Sequence, residues 1–231
     1  MKRLLIALLG ALCVVGVGAQ SFGGGVSVFV PTDMFEGQTG SVSIETALET
    51  SLGLGGVFSL PIGFAFNQVY GLSPDGIASS GPWFYADSFA PYAMVLARLP
   101  AGPVFFEVFG GGLMNWNISL RPINDTIAND LVAAGYIGNP GDRAGLSNLR
   151  IDSPLGFGYL AGAAVGVTFG QISIKADVTY RRAVHDLELR AEYFTDASTS
   201  GSFDSTQVSA LDDLRVVMQG IAFGISGSFA P

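Results

Sequence analysis

One cysteine, Cys13, one histidine, His185, and eleven basic residues are the scarcest chemical resources of this 231-residue chain. Cys13 lies in a stretch that reads as a leader: Lys2 and Arg3, then apolar residues from Leu4 to Gly18, then small residues around Ala19. The apolar run of about fifteen residues is shorter than the roughly twenty of a spanning helix, so residues 1–19 are expected to be a cleaved signal peptide and 20–231 the mature domain. Leu12, just before Cys13, does not suit a lipid-modified cysteine. The mature chain then has no cysteine, which excludes disulfides, thiolate metal sites and cysteine nucleophiles. It keeps nine basic against nineteen acidic residues with no basic stripe, which excludes nucleic acid as a partner. No mature segment reaches eighteen apolar residues, so a membrane crossing must be made by strands.

What is abundant is glycine, 32 residues, and phenylalanine, 17. They are organised by alternation. Near the C-terminus Val217, Ile221, Phe223, Ile225 and Phe229 share one strand face, and Gly220, Ala222, Gly224, Ser226 and Ser228 the other. No charge follows Arg215. A bulky face opposite a face of very small residues suits lipid outside and a narrow lumen inside.

The same period recurs in eight predicted strands: 22–30, 49–60, 62–72, 83–99, 104–119, 156–169, 172–194 and 214–229. The gaps alternate between short (Pro61, Pro100 to Pro103, Gly170 to Gln171) and long (31–48, 73–82, 120–155, 195–213). A soluble Greek-key sandwich gives no reason for that alternation. The expectation is an all-β, eight-stranded antiparallel up-and-down transmembrane β-barrel with short periplasmic turns and long external loops. Across the Gly170 turn, Phe169 faces Ile172, Val167 faces Ile174 and Ala163 faces Val178 outward, while Thr168 faces Ser173, Gly166 faces Lys175 and Ala164 faces Asp177 inward. Across Pro61, Leu54, Phe58 and Leu60 share a face with Ile62, Phe64 and Phe66. In the third long loop Asp125 can cap a helix ending at Gly135, followed by a turn at Asn139 to Asp142. A second short helix is expected from Ser205.

By this parity Arg98, Glu107, Lys175, Asp177 and Arg181 point inward, Arg98 beside Glu107 across the Pro100 to Pro103 turn. They form either a charged constriction that selects a solute or ion pairs that fill a narrow barrel. His185 reads as a loop-edge residue. Asp186 is on the opposite face, no Gly-x-Ser-x-Gly elbow is present and no second metal ligand is marked, so no catalytic residue, metal or cofactor is expected. Trp83, Phe84, Tyr85, Trp116, Tyr70 and Tyr193 are placed to form an upper aromatic girdle, and Phe22, Phe169 and Phe229 a lower one.

Leader, eight alternating strands, short inner turns, long outer loops and a last strand ending at Phe229 together resemble the small outer-membrane barrels of diderm, Gram-negative bacteria: the OmpX, OmpA-barrel and OmpW-like group. The resemblance covers the whole mature chain and is architectural. It implies an integral outer-membrane, non-enzymatic protein in contact with outer-membrane lipid. Phe229 would be the signal read by the barrel-insertion machinery, although Ala230 and Pro231 follow it and Gly227 stands where a second aromatic is common. An OmpW-like protein passes small hydrophobic molecules in porin-like fashion, and Met94, Leu96, Phe109 and Leu113 would then be the inward apolar lining. A structural or adhesive barrel would instead be plugged by its lumen charges and would present its loops to ligands or host surfaces. A lipid-modifying barrel enzyme using His185 and a soluble secreted β-protein are the remaining alternatives.

Overall fold

Two glycine-rich strands meet where the ends of the chain close on each other: Phe22 lies opposite Phe229, Gly24 opposite Gly227 and Val28 opposite Phe223. The computed structural model describes residues 21–32, 43–72, 77, 80–137, 143–152, 155–196 and 206–230. The predicted leader and the Asn139 to Asp142 turn lie outside them. The elements are β1 (Ser21–Pro31), β2 (Ser43–Gly55), β3 (Phe58–Leu72), β4 (Phe84–Ala101), β5 (Val104–Pro122), α1 (Asn124–Ala133), β6 (Arg143–Asp152), β7 (Gly156–Phe169), β8 (Ile172–Asp196) and β9 (Thr206–Phe229). Eight of the strands, all but β6, pair antiparallel in chain order, and β9 returns to β1. Closure removes the sheet edges whose backbone groups would otherwise be unpaired.

Alternation decides which side chains fill the ring. Val26, Leu48, Val95, Val108, Val165, Val178 and Ile225 are exposed on the outside, while Ser27, Glu45, Ala65, Glu107, Thr179 and Ala222 are buried inside. The Gly170 hairpin has the expected register: Phe169 opposite Ile172, Gly166 opposite Lys175 and Ala164 opposite Asp177.

The first hairpin turns elsewhere than expected. Gly55 and Gly56, with φ of 104° and 62°, make the turn, and Pro61 lies inside β3. Positive φ is what glycine supplies and proline cannot. Pro61 is tolerated because the β3–β4 ladder passes from Ser59↔Leu96 to Ile62↔Ala93 without pairing Leu60 or Pro61. Pro91 on β4 has the same accommodation, between Phe89↔Trp116 and Tyr92↔Leu113. Because β3 runs straight through Pro61, Phe58 and Phe66 still share the outer face.

The external end is more structured than expected. β2 begins at Ser43, inside the predicted first loop. β8 spans 25 residues and β9 spans 24, more than twice the roughly ten a tilted crossing requires. The helix expected from Ser205 is replaced by strand from Thr206, because those residues pair with β8 up to Phe194↔Thr206. The third loop contains both α1 and β6, which was not foreseen as a strand. β6 takes over β8 at Asp152↔Glu188, just above the Gly156↔His185 pair that begins β7. The expected Asp125 cap is also corrected. The helix is preceded by Ile123 with no side-chain cap, and Asp125 sits in the first turn, where a negative charge favours the helix dipole. Gly135, at φ 76°, ends the helix as expected.

Candidate functional site

The lumen is the candidate site, and its floor is built from side chains of five strands. Arg98 on β4 lies opposite Glu107 on β5. Its Nη2 sits 2.6 Å from Glu107 Oε1, and its guanidinium stacks 4.1 Å from the Phe105 ring centroid. Lys175 Nζ on β8 lies 3.0 Å from the other oxygen, Glu107 Oε2, and 3.7 Å from Glu49 Oε1 on β2. Glu107, whose side chain is 0% exposed, is thus held between two cations on opposite sides. The Tyr92 hydroxyl donates to Glu49 Oε2 at 3.2 Å. A second pair joins Arg181 to Glu45, and Ser27 Oγ donates to Glu45 Oε1 at 3.2 Å. Asp177 makes none of these ion pairs and accepts from Thr179 Oγ1 at 3.1 Å. The geometry therefore brings Arg98, Glu107 and Lys175 into one network, and adds Glu45, Glu49 and Tyr92, which parity alone did not single out.

The glycines explain how such bulk fits. A Cβ on Gly63 would lie 2.7 Å from the Tyr92 hydroxyl, one on Gly162 2.7 Å from the Phe109 ring, and one on Gly224 2.7 Å from Asp177 Oδ1. Gly166 lies under Phe105 in the same way, and Gly156 under His185. Gly63, Gly162 and Gly166 are directly opposite Tyr92, Phe109 and Phe105 in register. An aromatic on one strand covers the bare backbone of the next. A sequence signal for this existed: inward glycines recur at the parity of inward aromatics.

Above the ion pairs, Phe29, Met94, Leu113, Leu160, Ala183 and Met218 form an apolar cluster with Tyr92 and Phe109 packed against it. Leu96 is also buried and inward, outside that cluster. The four residues proposed as lining therefore face the lumen, where Met94, Leu113 and Phe109 pack against other side chains. A cavity of about 70 Å³ remains between the two layers, bounded by Glu45, Glu49, Lys175, Asp177 and Arg181 on one side and Met94, Phe109 and Leu160 on the other. That is room for a few waters.

Higher still, His185 is 2% exposed and its Nδ1 is 3.4 Å from Asn117 Nδ2. It is a buried lumen residue rather than a loop-edge one, because its parity points inward on a strand that continues past it and Gly156 leaves space for its ring. Asp186, on the other face, is exposed. Among the described residues no group of His, Cys, Asp and Glu side chains could hold a metal ion. Ser43 Oγ, Asn67 Oδ1, Ser88 Oγ and Asn115 Oδ1, on β2 to β5, are buried without a partner among the described residues.

Helix α1 covers the mouth. Ile127 and Leu131 pack with Trp83, Phe84, Leu146, Leu189 and Val216. The Trp83 indole donates to Asp130 Oδ2 at 2.6 Å, and the Ser80 backbone N–H donates to Asp130 Oδ1 at 3.0 Å. Trp83 and Phe84 are 0% and 1% exposed, so they belong to this cap and not to an upper girdle. Tyr85 faces outward, Trp116 is half-buried, and the side chains of Tyr70 and Tyr193 lie outside the described ones. Phe22, Phe169 and Phe229 are exposed together at the opposite rim. No described helix is long and apolar enough to cross a membrane.

A closed eight-stranded antiparallel ring, apolar outside and charged inside, defines the class of small β-barrels. No protein-family model and no curated protein matches the chain. Among solved structures it is similar to the outer membrane protein OprG from Pseudomonas aeruginosa, with 12% identity over 90% of this chain and 96% of that one, TM-score 0.45. It is also similar to Neisserial surface protein A, with 11% identity over 90% and 96%, TM-score 0.42. A third is a major outer membrane protein from Thermus thermophilus, with 12% identity over 90% and 99%, TM-score 0.39.

Proposed function

We propose that this protein is an integral barrel of a Gram-negative outer membrane that does not conduct solutes: a closed membrane anchor for a structured external platform. The observation that carries the reading is Glu107, fully buried and held from both sides by Arg98 and Lys175 across the lumen, beside a cavity of about 70 Å³. An eight-stranded barrel is just wide enough for its own side chains, and here they fill it. Passage of a small hydrophobic solute would require Met94, Phe109 and Leu113 to leave their mutual packing and α1 to leave the mouth. A non-enzymatic role fits His185, whose described neighbour is an amide rather than a carboxylate or a nucleophile. The exposed Phe229, on the last strand at the rim opposite the cap, fits the signal for the barrel-insertion machinery.

Reconstitution into planar bilayers tests the reading. The wild type is expected to be electrically silent and not to speed uptake of a hydrophobic dye into vesicles. A variant combining Lys175→Ala with removal of residues 124–137 is expected to leak. Steady conductance or dye uptake by the wild type would overturn the closed-anchor reading.

A further inference from the structure

The outward face of strand β8 turns from apolar to polar around Arg182, with one further apolar pair, Val184 and Phe157, above it. Ile172, Ile174, Ala176 and Val178 are exposed outward, Tyr180 follows, and the next outward residue is Arg182, also exposed. Ile172 lies opposite Phe169 and Phe229 at the aromatic rim. Ten residues at about 3.3 Å each, tilted by roughly 40°, rise about 25 Å, the height of the apolar band of a membrane barrel. Arg182 therefore stands at the far interface, at the level of lipid phosphates. Beside it are Tyr159, its partner on β7, and Tyr180, whose ring lies 6.1 Å from that of Tyr159. Gln219 on β9 is its other neighbour.

What sets Arg182 apart is its charge balance. The other outward guanidinium with a described contact at this end, Arg121, is paired to Asp87 at 3.3 Å. Among the described residues Arg182 enters no ion pair. The exposed Asp186 is four residues on, about 13 Å along the strand. A planar guanidinium at an apolar edge, flanked by two phenols, matches a phosphate oxyanion.

We infer that Arg182, with Tyr159 and Tyr180, binds the phosphate of an outer-leaflet lipid and so fixes the height and rotation of the barrel in the membrane. This rests on the membrane reading above. The guanidinium fork takes two phosphate oxygens, the tyrosine rings seat the uppermost part of the acyl region, and the phenol hydroxyls lie at headgroup level.

The test is native mass spectrometry of the full chain taken from phosphatidylcholine vesicles containing bisphosphorylated lipid A, compared with vesicles containing its dephosphorylated form. Wild type is expected to retain the phosphorylated lipid and not the other. Arg182→Gln should lose about tenfold or more of that retention, Arg182→Lys less, and Arg121→Gln should match wild type. Heat-modifiable gel mobility checks that each variant is folded. Equal retention by Arg182→Gln and wild type would overturn the inference while leaving the membrane reading intact. Displacement of the lipid by millimolar inorganic phosphate would also overturn it, by showing a free-anion site. Failure of the wild type to insert into vesicles at all would sink both.

Discussion

Strand β8 has a lower and an upper half, and its inner and outer faces exchange chemistry between them. In its first ten residues Lys175, Asp177 and Arg181 face the lumen, and Ile172, Ile174 and Val178 face out. Beyond Arg182 the inward residues are Ala183, His185 and Leu189, the last packed in the cap with Trp83 and Ile127, and after Val184 the outward ones are Asp186 and Arg190. The lower half is polar inside and apolar outside; the upper half has the order of a soluble protein. Period-two alternation is constant along the strand, and in the membrane orientation proposed above the solvent outside changes, so what alternates changes with it. The two halves are consequently held by different forces. Buried ion pairs tie opposite walls of the lower barrel, and burial of apolar side chains fastens α1 to the upper one.

Substitutions that attack one half should spare the other. The largest effect is expected for Glu107→Ala, which leaves Lys175 and Arg98 without their shared carboxylate. Removing one partner of a buried pair costs about 3–5 kcal/mol, and Lys175 retains Glu49 as a second partner, which places the loss near the lower figure. Urea unfolding in lipid vesicles checks it, and an unchanged midpoint would show that the floor of the lumen contributes no stability. Next comes Val178→Arg, which puts a charge in the lipid-facing band and is expected to cost about 2–4 kcal/mol in the same assay. A smaller, local effect is expected from Asp130→Ala, which strands the Trp83 indole N–H and the Ser80 N–H at about 1–3 kcal/mol. Hydrogen exchange should show α1 opening while β7 and the lower part of β8 stay protected; uniform loss of protection would mean that the halves are not separable. The smallest is Asn129→Arg, on the exposed face of α1, where the same kind of residue should shift stability by under about 0.5 kcal/mol. A loss there as large as that at Val178 would remove the contrast in solvent on which the comparison rests.

How legible each half was follows from the same contrast. In the lower barrel the inward set, Arg98, Glu107, Lys175, Asp177 and Arg181, could be read residue by residue, because face is a local property set by odd or even position. The Gly170 hairpin could be read down to its register because the turn is two residues long. Pro61 misled for a physical reason: proline removes one donor, and a strand that has an interruption in one ladder can absorb it. The cap could not be read in the same way. Trp83 and Phe84 have the composition of a girdle, and only α1 folding over the mouth turns them into a buried core. Thr206 to Leu214 carries no pattern as strong as that of Val217 to Phe229, yet pairing with β8 makes it strand.

The alternation in the amino-acid sequence by itself determined the number of barrel strands, which face is apolar and outward and which charges face inward, because each depends only on neighbours along the chain. Tertiary structure decided that Glu107 is shared by Arg98 and Lys175, that glycines 63, 162 and 166 lie under aromatics, and that a loop helix closes the mouth. Those pairings depend on how far the strands are staggered when β9 returns to β1. Stagger belongs to the closed ring as a whole, and no single strand carries it.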